Sequence, residues 1–408
     1  AIAVRTIPCR HSYTNSRGRS RLLPQGMNLS FGAITLLGAV TLARAYESSQ
    51  NVQSMSHNQT HKLPDLDIAH AFAEFHRRFP EKKLEFASLT PSEQRYRRDQ
   101  VFRANMERAR HLTETSNSFA KFGITRFSDF TPEEFAERFL APQQQRGNYS
   151  SEQAKKSGNA LLYNDDAKHH LYGMGRHRSI DWREEDCINP VGDCGEGWAV
   201  LAADAVSIAH WFTKGKLVDM SKQQLISCGG EVTGRTPTDV WKYIEKAGGI
   251  ESADDYSGCS REKECKANLR KFVTTVEEVI KISNSPVGEK KMLDEVLWSP
   301  MSVCVDASSW QHYEHGVITK ATCGRHGALN HCGQVVGVKL KRKKNAGGTN
   351  IPLLGNLFGV ASDGVASDDL GAYHGWWIVK NIWGTGWGED GYLRVELGGN
   401  ACGIAEDA

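Results

Sequence analysis

The chain has 408 residues, 24% of them charged and 39% hydrophobic, with ten cysteines and a net charge of +2. That length suffices for two or three domains, and the near-neutral balance excludes a whole-molecule field that would draw the chain to nucleic acid or an acidic membrane. Ten cysteines fit either a reduced thiol set or a partial disulfide set, so the leader decides between them.

Residues 1–26 contain no Met and are rich in Arg and Ser. A basic leader or a transit-like segment would read this way. The reading preferred here is translated upstream sequence, with the true start at Met27. From there an apolar run from Phe31 to Leu42 ends in Ala43-Arg44-Ala45, the pattern of a signal peptide over 27–45. The run is shorter than the roughly 20 apolar residues a membrane span needs, and no other segment reaches that length. In a secreted chain, Asn58-Gln59-Thr60 and Asn148-Tyr149-Ser150 are glycosylation sequons.

The segment 46–142 begins polar and turns helical. Ile68, Phe72, Phe75 and Phe79 recur at helical spacing until Pro80 stops the run. A second helix is predicted from an N-cap at Ser92 to about Thr115. Residues 143–178 are polar and read as a processing linker, with Arg176 and Arg178 as cleavage points. Beyond it, Trp198, Leu201, Ala202, Ala205, Ala209 and Phe212 define one face of a helix that Gly215 caps. Glu196 at its start is favoured by the helix dipole and needs no catalytic reading. Strands and turns alternate in the second half, and Met301–Asp306 is an apolar strand in which Cys304 reads as a buried thiol.

Several stretches together resemble the papain-like cysteine proteases of the cathepsin L type, with their inhibitory pro-segment. In the second helix Arg98, Phe102 and Asn105 match the pro-segment pattern E-x3-R-x3-F-x2-N-x3-I-x3-N, while Gln94, Ala109 and Thr113 depart from it. Gly123-Ile124-Thr125-Arg126-Phe127-Ser128-Asp129 is similar to its G-x-N-x-F-x-D, with Thr125 for Asn. Ser179–Arg183 resembles the first strand of the mature domain. Cys194-Gly195-Glu196-Gly197-Trp198 resembles the nucleophile signature C-G-[SA]-C-[WY]. The position that the resemblance gives to the attacking cysteine is Gly197. Leu329–Gly337 resembles the strand of the catalytic histidine, His331. It stands 134 positions after Gly197, inside the family window of about 130–150. Asn381-Ile382-Trp383-Gly384 through Tyr392 is similar to the family's Asn signature. The resemblance implies that Asn381 orients His331 and that Trp383 shields their bond.

The same resemblance implies an α+β fold, in which a helical pro-domain precedes a helical subdomain and a β-barrel-like subdomain over 179–408. It implies disulfides Cys228–Cys265 and Cys323–Cys402. Cys187, Cys194, Cys259, Cys304 and Cys332 are left over, with Cys259 a partner for either Cys194 or Cys187. Two further family features are missing. Only Val191-Gly192-Asp193 separate Pro190 from Cys194, so the Gln that donates to the oxyanion has no counterpart. The G-C-x-G-G run after Cys228 is replaced by Gly229–Arg235, which holds no cysteine. The stretch 339–373 is read as an insertion, and its basic start, Lys339–Lys344, as a solvated charge run.

The expectation is a secreted or lysosomal/vacuolar pseudoprotease. It binds its own pro-segment and a peptide or protein in the cleft, uses no cofactor or metal, touches neither nucleic acid nor membrane, and is a monomer. The alternatives are an active endopeptidase hidden by an error at Gly197, and a structural or storage protein that uses only the fold.

Overall fold

The computed structural model describes residues 2–8, 67–140, 179–194, 196–229, 237–260, 264–283, 285, 288–323, 329–342 and 373–406. The signal-peptide segment, both sequons, the linker 143–178, Gly230–Arg235 and the middle of the predicted insertion lie outside them. Residues 1–10 and 68–408 make up one compact unit.

The phenylalanine spacing of the pro-segment forms α1 (Ile68–Arg78), which buries Ile68, Phe72 and Phe75. Pro80 ends α1 as expected but also opens α2 (Pro80–Ala87). A first helical position has no use for an N–H, so proline stops one helix and starts the next. The following helix is capped by Thr90 and not by Ser92. The Thr90 hydroxyl accepts from Glu93 N–H, and the Glu93 carboxylate accepts from Thr90 N–H, a capping box with Pro91 as the first residue. This helix runs as α3 (Pro91–Tyr96), a π-helical segment (Arg97–Phe102) and α4 (Arg103–Thr115). A second capping box, between Thr131 and Glu134, starts α5 (Pro132–Phe139). Its Glu134 also takes a bidentate ion pair from Arg97, at 2.6 and 2.7 Å. Arg98, the residue matched to the family pattern, pairs instead with its neighbour Asp99 at the surface.

In the second half, α6 (Gly197–Lys214) is the central helix, and Gly215 closes it in the left-handed conformation at φ 68°. Its small residues let two layers close on it. Ala199, Ala202, Ala203 and Val206 pack with Trp241 and Ile244 of α8 (Pro237–Ala247), next to α7 (Lys222–Cys228). Val200 and Leu201 face the sheet-side core instead. Among the described residues a further helix is α9 (Glu289–Val296).

The sheet comprises β1 (Ile2–Pro8), β2 (Ala120–Phe122), β3 (Ile180–Asp181), β4 (Thr274–Lys281), β5 (Met301–Val305), β6 (Tyr313–Ile318), β7 (His331–Arg342), β8 (Tyr373–Lys380) and β9 (Tyr392–Glu396). Their order is β2-β6-β9-β8-β7-β5-β1-β4, with β3 added on β7. Among the described residues only β6 and β9 pair in parallel. Ile2–Pro8, part of the segment read as upstream sequence, is antiparallel to β4. Lys339–Arg342, the start of the stretch read as an insertion, continue β7 and pair with Tyr373–Trp376 of β8.

The disulfides expected by resemblance, Cys228–Cys265 and Cys323–Cys402, are formed. Cys259 pairs with Cys194, resolving that alternative and leaving Cys187 as a buried free thiol. Cys304 is not a free thiol. It lies directly opposite Cys332 in the antiparallel β5–β7 ladder and is bonded to it. Among the described residues no helix is long and apolar enough to cross a membrane, and no group of His, Cys, Asp and Glu could hold a metal ion.

Candidate active site

Three of the residues singled out from sequence meet at the ends of β7 and β8. His331 is the first residue of β7, and Asn381 follows the last residue of β8. The Ile382 N–H donates to Asn381 Oδ1 at 2.8 Å, which fixes that atom as the oxygen. The same oxygen lies 2.8 Å from His331 Nε2, so Nε2 carries the proton and donates. Nδ1 then holds the lone pair, as a general base would need.

Aromatic rings close over this pair. The Trp383 ring centre lies 4.5 Å from that of His331, and Trp310 stands edge-on at 5.9 Å. His331 is 4% exposed. Burial pushes its pKa down to about 4, and the Asn381 bond opposes this only in part. The ring is therefore neutral at pH 7. We expect a ring-nitrogen NMR titration of His331 in the intact protein to show a midpoint near 4. A midpoint at or above 6.5 would mean a counter-charge stands beside the ring.

Gly197, the first residue of α6, faces the residue after Asn381. A Cβ built on Gly197 would run into Cδ1 of Ile382 and stand 3.2 Å from its Cγ1. Ile382 is 8% exposed and belongs to the sheet-side core. The space of a side chain at 197 is thus occupied by a branched hydrocarbon. Ile382 stands inside the Asn381 signature, where the sequence alone gives it no role. Its contact with a residue 185 positions away is a property of the folded chain alone.

Between Pro190 and Cys194 the loop before α6 carries no side-chain amide, and Asn189, just upstream, donates its amide to Asp204 and Asp219 instead. Asp193 of the loop accepts from Arg126 of the pro-segment (2.5 Å), and Gly192 O accepts from Gly384 N–H (3.2 Å). Cys194 is held in its disulfide. Glu196 accepts from Trp198 Nε1 at 2.8 Å, which supports the structural reading. The Cys304–Cys332 bridge occupies the thiol nearest to His331 in sequence. Burial drives the free thiol of Cys187 up to about 12, so it offers almost no thiolate.

The pro-segment docks beside this site. Phe127 and Phe135 are each 1% exposed and meet the Trp383 ring edge-on at 5.5 and 5.2 Å. Arg126 also donates to Trp383 O at 3.2 Å. Gln311 Nε2 donates to Phe127 O and Phe130 O, both at 2.9 Å, and the Thr125 hydroxyl donates to Gln311 O at 2.7 Å. Strand β2 extends the sheet by pairing with β6. Asn105, buried, ties the turn from within by donating to Ser128 O and Phe130 O at 2.9 and 2.7 Å.

Comparison with known proteins agrees with this arrangement. A model described as the papain family cysteine protease matches residues 177–408, and one for the cathepsin propeptide inhibitor domain matches residues 73–135. Cysteine proteinase 1 of Zea mays is 30% identical over 323 residues, which are 74% of this chain and 77% of that protein. P34 probable thiol protease of Glycine max is 30% identical over 329 residues, 76% of each chain. The structure of digestive procathepsin L 3 of Tenebrio molitor superposes with a TM-score of 0.56 at 24% identity, covering 82% of this chain and 97% of that one. At that identity the likeness concerns the fold, with its pro-segment packed on the protease domain.

Proposed function

As this chain belongs to the papain family of cysteine proteases and carries a cathepsin-type propeptide inhibitor domain, we propose that it is a catalytically inactive member that acts by binding. The observation that carries this reading is Gly197 with Ile382 lodged against it. Amide hydrolysis by this route needs a nucleophile within hydrogen-bond reach of a base. His331 and Asn381 supply the base and its orienter, but position 197 supplies no atom to activate. An error restoring cysteine at 197 alone would leave Ile382 and the missing oxyanion donor unexplained, which disfavours an active enzyme. The ligand of the open cleft is an extended peptide or protein segment, held by the wall that otherwise receives the pro-segment. The secretory leader pattern and the four disulfides favour an oxidising compartment, extracellular or lysosomal/vacuolar.

A peptide-amide assay tests this. The purified chain, with its linker cut by an added protease, should release no more product than its His331→Ala variant. Turnover that disappears in His331→Ala would show that a nucleophile is present and overturn the proposal. At acidic pH the intact precursor should also keep its full length.

A further inference from the structure

Arg126 of the pro-segment sets its guanidinium in a notch between the loop before α6 and the turn after β8. Its Nη1 donates to Asp193 Oδ2 at 2.5 Å and to Trp383 O at 3.2 Å. One nitrogen makes both bonds, because each terminal guanidinium nitrogen has two hydrogens to give. Both acceptors belong to the protease domain.

Glycine at 384 keeps this notch open. Its N–H donates to Gly192 O at 3.2 Å, which holds the loop against the turn, and its φ of +75° lies in the left-handed region. A Cβ built at 384 would stand 3.2 Å from Arg126 Nη1 and 3.2 Å from Asp193 Cβ. Any side chain there would press on the cation and on the residue that receives it.

The notch does not depend on the pro-segment for its shape, but it does for its charge balance. The Asp193 side chain is 57% exposed and that of Arg126 25%, and among the described residues no other basic side chain pairs with Asp193. With the pro-segment gone, a carboxylate and a carbonyl oxygen stand side by side without a donor. The neighbouring ring of Trp383 loses Phe127 and Phe135, and Gln311 Nε2 loses the two backbone carbonyls it donates to. A cation with several N–H donors, carried on an extended backbone, meets all of these needs.

Taking the chain as a binder, as proposed above, we infer that Asp193 and Trp383 O form a subsite for an arginine side chain of the ligand. Arg126 holds the place of that arginine while the pro-segment is docked. Glutamine at the same place keeps an N–H donor but brings no charge, and an acidic residue meets Asp193 as a like charge. An ion pair this exposed supports a preference of up to about fivefold for arginine over glutamine.

Selection of short random peptides on the whole chain tests the inference. The chain carries Arg126→Ala, so that the notch is empty, and its linker is cut by an added protease. The same chain with Asp193→Lys is run in parallel. Arg126→Ala should recover peptides in which arginine is enriched about fivefold over glutamine. Asp193→Lys should shift the preference to aspartate and glutamate. Asp193→Asn, which keeps the shape of the side chain, serves as a second variant and should lose the arginine preference. Peptides recovered with the same residue preference in all three chains would overturn the inference and leave the binding reading in place. Recovery of no peptide by any of them would overturn both.

Discussion

Replacing Gly197 with cysteine alone is expected to give a thiol that reacts slowly, and Gly197→Cys with Ile382→Ala a thiol that reacts fast. The new side chain must enter space that Cδ1 of Ile382 already fills. Overpacking of this kind costs roughly 1–3 kcal/mol, and a reactive geometry that needs Ile382 to move is populated accordingly. Trimming Ile382 to alanine removes the conflict and leaves its backbone N–H on Asn381 Oδ1. The thiol then sits at the N-terminus of α6, where unpaired N–H groups favour a thiolate. Labelling by an epoxide should be at least about fivefold faster in the double variant than in Gly197→Cys, as the lower end of that overpacking range requires. A further consequence concerns His331. A neighbouring thiolate favours the imidazolium, so its titration should move up from about 4. Amide turnover should stay about 10²–10³ below that of an enzyme with a complete oxyanion hole, since Val191-Gly192-Asp193 restore no donor. Equal labelling of the single and double variants would show that Ile382 does not guard the position.

Asp204→Asn should cost the largest amount of stability of any single substitution considered. Lys380 Nζ lies 2.6 Å from Asp204 Oδ2, and the two side chains are 2% and 3% exposed. The pair joins the central helix to β8 at the residue preceding Asn381. Asp204 Oδ1 also accepts from Asn189 Nδ2 at 3.0 Å. Removing one charge leaves the lysine buried and uncompensated, which costs about 3–5 kcal/mol. Replacing both together, Asp204→Leu with Lys380→Met, should cost far less, because it leaves no orphaned charge. Urea denaturation of the three chains separates these cases. A loss below about 1 kcal/mol for Asp204→Asn would mean that water reaches the pair.

The sequence carried what local pattern and motif can carry. The apolar spacing around Trp198–Phe212 located the central helix and its glycine cap, because helix periodicity and a left-handed C-terminus are written in consecutive residues. His331, Asn381 and Trp383 were legible by resemblance, and the chain folds them into one cluster. Thr90 was passed over as a cap because Ser92 also has a hydroxyl, and the reciprocal bond to Glu93 decides between them. The Cys304–Cys332 bridge was not legible, since the register of β5 against β7 is set by the whole sheet. The same holds for Ile382, whose meaning comes from Gly197 lying across from it, and a single isoleucine in sequence is silent about that.

The central claim is that the cleft holds no reactive nucleophile, and intact-protein mass spectrometry after incubation with a thiol-directed epoxide tests it most directly. The account predicts no adduct other than at Cys9 of the N-terminal segment for the native chain with its linker cut, because eight of the ten cysteines are in disulfides and the Cys187 thiol is buried with its pKa near 12. A stoichiometric adduct that maps to a residue beside His331 and is lost in His331→Ala would contradict it.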